Sequence, residues 1–311
     1  MKHDDILGLI GDTPLVGVHQ LSPNPDVHIW AKLEGQNPGG SSKDRIALKM
    51  IELAERDGVL SPGSTILEPS SGNTGIGLAL VAKLRGYNLR IVLPENVSPE
   101  RRQLLEIFGA EVTSSPGEEG SNGAIRLSAQ IADADPSLVP LFQYGNPANP
   151  LAHYEATGPE IERDCPEVDV FVAGLGTSGT LMGVGKYLKE RKPGVRVIAV
   201  EPPAGELVQG LRNLDDGFVP PIFEPDVLDR KLIVRPRESV EWTRRLLDEC
   251  GVFAGISSGA AMAGAAKVAD QMDEGTIVVL LPDGGWKYLS SGAWTDPIDE
   301  VVERATRINY W

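Results

Sequence analysis

Residues 168–179 read Val168-Asp-Val-Phe-Val-Ala-Gly174-Leu-Gly-Thr-Ser-Gly179, an apolar run that leads through a glycine-rich turn into a segment with helical spacing. A short run of β-branched and other apolar residues is typical of a strand buried on both faces of a parallel sheet. Four other segments have the same character, namely residues 66–67, 89–93, 195–200 and 276–281. This pattern predicts an α/β protein with mostly parallel sheets.

Segments with helical spacing separate the predicted strands. They cover residues 44–56, 74–84, 99–108 with Ser98 as N-cap, 124–132, 260–272 and, as an amphipathic helix, 299–308. Strands that alternate with helices are typical of doubly wound sheets with right-handed crossovers. The 311 residues correspond to about two domains. Turn residues at 144–150 mark the candidate boundary, and the Gly-, Pro- and Asp-rich stretch 202–225 is predicted to be irregular and either functional or mobile.

The composition excludes several classes of protein. Asp and Glu number 44 against 29 Lys and Arg, which gives a formal net charge of −15 and argues against a nucleic-acid or anionic-membrane partner. Cys165 and Cys250 have no CxxC or His-rich companion, so we expect neither a disulfide framework nor a metal site. The first residues lack an apolar signal-peptide core, and no apolar run approaches 18 residues. We therefore expect a cytoplasmic protein.

The turn at Gly174–Gly179 matches the pattern G-x-G-x-x-G, and Glu201 follows Gly179 by 22 positions. This spacing is compatible with a dinucleotide site in which Glu201 binds the ribose. However, the hydroxyls of Thr177, Ser178 and Thr180 at a helix N-terminus suit a phosphate monoester equally well. A tight turn without a ligand is the third possibility, and the motif alone leaves all three open.

Two further segments carry polar groups where strands lead into helices. In Asn37-Pro-Gly-Gly-Ser-Ser-Lys43-Asp-Arg45, the lysine stands at the positive end of a predicted helix, where it loses its proton more easily. Lys43 is therefore a candidate nucleophile, although a solvated first-turn lysine has the same pattern. The loop 70–75, Ser-Ser-Gly-Asn-Thr-Gly, follows a predicted strand, and its hydroxyl and N–H groups are suited either to a bound carboxylate or to a simple turn.

Four motifs occur together in one order: Asn-Pro-Gly-Gly-Ser-x-Lys-Asp-Arg, Ser-Gly-Asn-Thr-Gly, Gly-x-Gly-Thr-x-Gly-Thr and Gly-Ile-Ser-Ser-Gly. With them, the chain resembles the cysteine synthases of the pyridoxal phosphate (PLP) fold type II family, which is tryptophan synthase β-like. The resemblance runs from Gly11 to Ser290. The stretches 210–218 and 284–290 are similar to those of the actinobacterial O-phosphoserine sulfhydrylases, also called CysM-type cysteine synthases.

The resemblance implies two doubly wound α/β domains. Residues 36–145 are expected to form a smaller, mobile N-terminal domain with the loop for the substrate carboxylate. Residues 1–35 plus 146–311 are expected to form a larger C-terminal domain, with the sites for the PLP phosphate and pyridine nitrogen. A homodimer is also implied.

The resemblance also implies roles for individual residues. Lys43 is expected to bind PLP as a Schiff base and to act as general base, and Asn73 to meet the cofactor's 3-hydroxyl. Ser257 is expected to face the pyridine nitrogen, although it could also be only the N-cap of the following helix. The expected phosphate-binding residues are Gly176, Thr177, Ser178, Gly179 and Thr180, and the expected substrate-binding residues are Ser70, Ser71, Thr74, Gln143 and Arg212.

The reaction implied is a β-replacement that converts O-phospho-L-serine into L-cysteine through an α-aminoacrylate. The sulfur donor is expected to be a thiocarboxylated carrier protein or sulfide. Arg212 bears on the substrate because a guanidinium binds phosphate bidentately, although it could instead be a surface arginine paired with Asp215 or Asp216.

Other functions remain open at this point. An O-acetylserine sulfhydrylase using sulfide or thiosulfate is the nearest alternative, followed by a cystathionine β-synthase or serine/threonine dehydratase. From other classes come an NAD-dependent dehydrogenase and a non-catalytic binding protein. The chain also departs from the family pattern at three positions that are Ser here. Many relatives have an apolar residue at position 42, Thr at position 70 and Gly at position 178.

Overall fold

The computed structural model describes residues 2–70 and 72–307, in which two sheets are flanked by helices. The strands are β1 (Leu15–Gly17), β2 (Val27–Leu33), β3 (Thr65–Pro69), β4 (Asn88–Pro94), β5 (Glu111–Ser115), β6 (Leu138–Pro140), β7 (Val170–Gly174), β8 (Arg196–Glu201), β9 (Arg230–Ile233) and β10 (Gly275–Leu281). The α-helices are α1 (Lys43–Arg56), α2 (Asn73–Arg85), α3 (Pro99–Phe108), α4 (Gly120–Ala134), α5 (Ala148–Ala152), α6 (Gly158–Asp164), α7 (Gly179–Arg191), α8 (Pro236–Cys250), α9 (Ile256–Ala269) and α10 (Ile298–Arg307). A π-helical turn, His153–Thr157, joins α5 to α6.

The larger sheet has the strand order β1-β2-β10-β7-β8-β9. Only β1 is antiparallel to its neighbour, and the other pairs in this sheet are parallel. Apolar side chains are buried on both faces of β7 and β10, as expected for central parallel strands. Helix α9 packs closely on this sheet because small residues such as Ala263 and Gly264 leave room for it.

The smaller sheet has the order β5-β4-β3-β6, and all of its pairs are parallel. Helices α1 and α2 cover one face through an apolar cluster that includes Ile46, Ile76 and Ile91. The other face packs against α4 through Leu67, Val92 and Ala124. Because both sheets are mostly parallel, their loops at the carboxyl ends of the strands form ligand-binding edges.

The structure confirms the predicted α/β class and each of the predicted strands. Two helical predictions need correction at their starts: α4 begins at Gly120, not at residue 124, and α9 begins at Ile256, not at residue 260. Ser98 precedes α3 as predicted but makes no side-chain capping bond, and its hydroxyl donates to the carbonyl of Lys287 at 3.3 Å. Helix α10 matches the predicted helix at 299–308, whose last residue lies outside the described part of the chain.

Within residues 2–70 and 72–307, no helix is both long enough and apolar enough to cross a membrane. The same residues contain no group of three or more His, Cys, Asp or Glu side chains arranged to hold a metal ion. Cys165 and Cys250 are free thiols, of which Cys165 is buried and Cys250 only half-buried.

Candidate active site

A cleft that is partly open to solvent lies at the carboxyl ends of β3, β7 and β10. Eleven of the residues proposed from the sequence line it: Lys43, Ser70, Asn73, Thr74, Gln143, Gly176, Thr177, Ser178, Thr180, Arg212 and Ser257. Gly179 begins α7 directly behind this lining. Ser71, also proposed, lies outside the described residues. The fold thus brings together groups from segments that are distant in sequence.

Lys43 is the first residue of α1 and lines the cleft. Its Nζ lies 3.2 Å from Ser42 Oγ. Burial lowers the pKa of Lys43 below its ordinary value, although the nearby carboxylates of Asp283, Glu34 and Asp44 oppose this effect. The position is therefore that of a candidate nucleophilic amine and not of a solvated surface lysine.

A buried ion-pair network holds α1 in place two residues beyond Lys43. Arg45 Nε lies 2.7 Å from Glu34 Oε2, and Arg45 Nη1 lies 2.6 Å from Glu160 Oε1. Lys32 Nζ completes the network at 2.6 Å from Glu160 Oε2. Burial raises the pKa of Glu34, but the Arg45 guanidinium outweighs it and holds this pKa at about 2. No motif in the sequence indicates this network.

The loop between β3 and α2 is organised by side-chain hydrogen bonds. Ser70 Oγ accepts from the backbone N–H of Gly75 at 3.0 Å and from that of Gly72 at 3.3 Å. Thr74 Oγ1 donates to Gln143 Oε1 at 2.6 Å. These bonds hold Ser70 and Thr74 at the N-terminus of α2, where backbone N–H groups and the helix dipole favour an anionic group.

Asn73 is held by residues near the end of the chain that the sequence analysis did not propose as site residues. Its Nδ2 donates to Asp283 Oδ2 at 2.7 Å, and its Oδ1 accepts from Lys287 Nζ at 2.8 Å. Tyr288, whose ring lines the cleft, donates its hydroxyl proton to Asp283 Oδ2 at 2.5 Å. Lys287 and Tyr288 belong to the quoted stretch 284–290, but the sequence alone does not reveal their contacts.

The turn before α7 also lines the cleft. Ser178 is the N-cap of this helix and adopts a left-handed backbone with φ +71°, a conformation that favours glycine. Its Oγ is buried and has no hydrogen-bond partner among the described residues. A phosphate monoester at the helix N-terminus supplies acceptor oxygens for this hydroxyl, so these residues fit the phosphate of PLP.

The neighbouring threonines are themselves anchored from behind. Thr177 Oγ1 accepts from Asn149 Nδ2 at 3.0 Å, and Thr180 Oγ1 lies 3.1 Å from His153 Nε2. Glu201, the residue expected to bind ribose in a dinucleotide site, is buried and pairs with Lys231 at 2.9 Å. A dinucleotide site in this cleft would therefore lack the acidic side chain expected to bind the ribose.

Ser257 lies in the first turn of α9 and lines the cleft. The suggestion that Ser257 is the N-cap is wrong, because Gly255 holds that position. Gly210 has φ +84°, and a Cβ atom on it would lie 3.5 Å from Ser257 Oγ. The glycine therefore keeps the space beside the serine hydroxyl open.

Arg212 is buried, with 6% of its surface exposed, and lines the cleft. Its guanidinium carbon lies 4.7 Å from the centroid of the Phe218 ring and 5.5 Å from that of Tyr144. Its Nη1 donates to Asn122 Oδ1 at 3.3 Å. The structure thus places Arg212 in the cleft and not at the surface, and Arg101 is a second guanidinium in the lining.

Comparisons with known proteins agree with this geometry. The family model described as pyridoxal-phosphate dependent enzyme matches residues 6–283. A cysteine synthase of Staphylococcus aureus is 43% identical over 298 residues, which cover 93% of this chain and 96% of the relative. A solved structure of O-ureido-L-serine synthase has a TM-score of 0.89 at 38% identity, covering 94% of this chain and 96% of that one. An O-acetylserine sulfhydrylase isoform of Entamoeba histolytica has a TM-score of 0.87 at 36% identity, covering 98% and 96%.

The matches extend over nearly the whole chain, and the residues that match the family motifs meet in one cleft. A lysine and a hydroxyl-rich helix N-terminus in the same cleft are suited to an aldehyde cofactor with a phosphate group. The chain belongs to the pyridoxal-phosphate dependent enzyme family and is a PLP-dependent enzyme of the cysteine synthase type.

Proposed function

We propose that this enzyme makes L-cysteine from O-phospho-L-serine by β-replacement. The observation that carries the proposal is the buried guanidinium of Arg212 in the cleft. A phosphate dianion that enters a protein of net charge −15 needs a local cation, and a guanidinium can bind it bidentately. Acetate as leaving group places no such demand on the site.

The site residues proposed from the sequence have the following tasks. When bound, PLP supplies an electron sink for the α-carbon of the substrate. Lys43 would hold the cofactor, and its free amine would take the α-proton of the substrate on Nζ. Asn73 and Ser257 orient the ring, and Gly176–Thr180 bind the cofactor phosphate. The substrate carboxylate is bound by Ser70, Ser71, Thr74 and Gln143.

The two separate sheets support the proposal that the chain has two domains with different binding sites. The loop for the substrate carboxylate follows β3 in the smaller sheet, and the phosphate turn follows β7 in the larger sheet. We therefore retain residues 36–145 as the proposed smaller, mobile domain and residues 1–35 plus 146–311 as the larger one. Closure of the smaller domain over the substrate would exclude water from the reacting atoms.

The sulfur donor is proposed to be a thiocarboxylated carrier protein or sulfide. The cleft is partly open to solvent, which suits both a small donor and the extended end of a carrier. The free thiols of Cys165 and Cys250 are compatible with a reducing, cytoplasmic compartment. A homodimer is proposed from the family resemblance.

The second candidate function is that of an O-acetylserine sulfhydrylase. Its support is the similar Entamoeba histolytica enzyme of that name, which shares 36% of its sequence with this chain. The two functions use the same cofactor and the same carboxylate loop. They differ in what Arg212 contributes to the reaction.

The deciding experiment measures kcat/KM for O-phospho-L-serine and O-acetyl-L-serine with sulfide, in the native enzyme and in Arg212→Met. We expect the native enzyme to prefer phosphoserine. Loss of a charged hydrogen bond should lower its kcat/KM by about 100-fold in the variant, with little change for acetylserine. Arg126→Met, which removes an exposed arginine, is the control. A native preference for acetylserine, or an equal loss with both substrates, would refute the role of Arg212.

A further inference from the structure

Both polar atoms of the Asn73 amide are held by charged side chains from one segment after β10. Lys287 Nζ donates to Oδ1 at 2.8 Å, and Nδ2 donates to Asp283 Oδ2 at 2.7 Å. Asp283 and Lys287 are 2% and 0% exposed, respectively. Water therefore screens these interactions little, and the charges act strongly on the amide between them.

The two charges fix which way the amide points. If the amide turned over, its NH₂ group would face the Lys287 ammonium, where donor meets donor. Its oxygen would face the Asp283 carboxylate, where acceptor meets acceptor. An amide nitrogen carries two hydrogens, and Asp283 takes one of them. The second is left as a donor at a residue that lines the cleft together with Lys43.

Lys287 and Asp283, which together form what we call the clamp on Asn73, are themselves held by other contacts. Lys287 Nζ also donates to the carbonyl of Gly40 at 3.1 Å, and Tyr288 donates to the same Asp283 oxygen that accepts from Asn73. Gly40 has φ +79°, and a Cβ atom there would lie 2.6 Å from Trp286 Cζ2. This position in the loop therefore favours glycine. The loop that precedes Lys43 is thus joined to the same segment.

Lys287 keeps its charge at neutral pH. Burial lowers the pKa of Lys287, and the carboxylates of Asp283 and Asp44 partly offset this effect. The resulting pKa is about 8. The ammonium form therefore predominates at pH 7, and the donor–acceptor pattern described above applies under ordinary conditions.

We propose that Lys287 and Asp283 are positioning residues that lock the Asn73 amide as a hydrogen-bond donor toward the 3-hydroxyl oxygen of bound PLP. The inference rests on the proposed role of Asn73 and is independent of the substrate preference. It assigns a purpose to a buried lysine and a buried carboxylate that neither hold the cofactor nor touch the substrate carboxylate in the proposed reaction.

The test is a double-mutant cycle on PLP affinity, measured by titrating PLP into apoenzyme in the absence of substrate. Lys287→Met should weaken PLP binding by about tenfold in the native background, because it frees the amide to turn. In the Asn73→Ala background the same substitution should change the affinity by less than about twofold. Lys267→Met, which removes a lysine paired with Glu238 away from the cleft, is the matched control.

Asp283→Ala removes the other half of the clamp and is carried through the same cycle, so the test stands if one variant does not fold. Lys287→Arg should restore part of the affinity, because it keeps a charged donor. An equal loss in both backgrounds would overturn the clamp and leave the role of Asn73 intact. If Asn73→Ala itself leaves PLP affinity unchanged, the clamp and the proposed role of Asn73 both fall.

Discussion

Arg45 and Glu160 form a buried ion pair in which Nη1 and Oε1 are 2.6 Å apart and Nη2 and Oε2 are 2.7 Å apart. The pair is bidentate and connects α1, which begins at Lys43, to α6 beside the larger sheet. Arg45 also binds Glu34, so one guanidinium joins three segments of the chain. The orientation of the helix that presents Lys43 therefore depends on this network.

Glu160→Gln should lower the free energy of unfolding by about 3 kcal/mol, because it leaves the charges of Lys32 and Arg45 buried with too few partners. Urea denaturation followed by circular dichroism measures the change. Asp57→Asn, which affects the exposed pair of Arg56 and Asp57, should have no measurable effect. Equal stability of Glu160→Gln and the native protein would show that the network does not stabilise the fold.

Acid should remove part of this stabilisation. The pKa of Glu34 is about 2 in the folded state and about 4.3 in an unfolded chain, so the folded state prefers the charged form. This contribution to stability is fully present above the unfolded pKa and is lost as the pH falls from about 4.5 toward 2. Urea midpoints between pH 6 and pH 3 should fall less in Glu34→Gln than in the native protein. Parallel curves would contradict the assignment.

Gly176→Ala should weaken PLP binding by about tenfold without unfolding the protein. An added Cβ would lie 2.8 Å from the carbonyl oxygen of Gly210, so the turn before α7 must shift, and a shift costing about 1.4 kcal/mol is tenfold in affinity. Gly194→Ala is the matched control, because a Cβ at that position meets no atom within 4 Å. Equilibrium dialysis against PLP gives both affinities, and identical values would remove Gly176 from the phosphate site.

Lys43→Ala should abolish cysteine formation, by about a thousandfold or more, because the amine that holds the cofactor and moves the α-proton is lost. The protein should still fold, since Arg45 and its partners remain. Lys49→Ala alters a lysine on the same helix that pairs with Glu155 outside the cleft, and it should keep full activity. Turnover by Lys43→Ala close to the native rate would instead favour a non-catalytic binding protein.

The parallel strands were predictable because apolar runs such as Thr276–Leu281 are buried on both faces. Strand β2 escaped prediction because His28 and Lys32 interrupt its apolar pattern, and Lys32 is buried where it pairs with Glu160. Strand β9 is short and begins with two charged residues. In both strands, tertiary contacts outweigh the local signal.

The residues that line the cleft were predictable where they stand within a short sequence motif, as Lys43 and Gly176–Thr180 do. The clamp on Asn73 was not, because Lys287 lies 214 positions away from Asn73 and only the folded chain brings them together. Likewise, the ion pair of Arg45 joins residues 115 positions apart. Charged residues like these resemble solvated surface groups until their burial is known.

The visible absorption spectrum of the purified protein, followed by rapid mixing with one substrate at a time and no sulfur donor, tests the central claim most directly. The account predicts that O-phospho-L-serine converts the absorption band of the bound cofactor at least about tenfold faster than O-acetyl-L-serine, which reflects a charged contact worth about 1.5 kcal/mol or more. A faster conversion by O-acetyl-L-serine would contradict the proposed substrate and the role of Arg212.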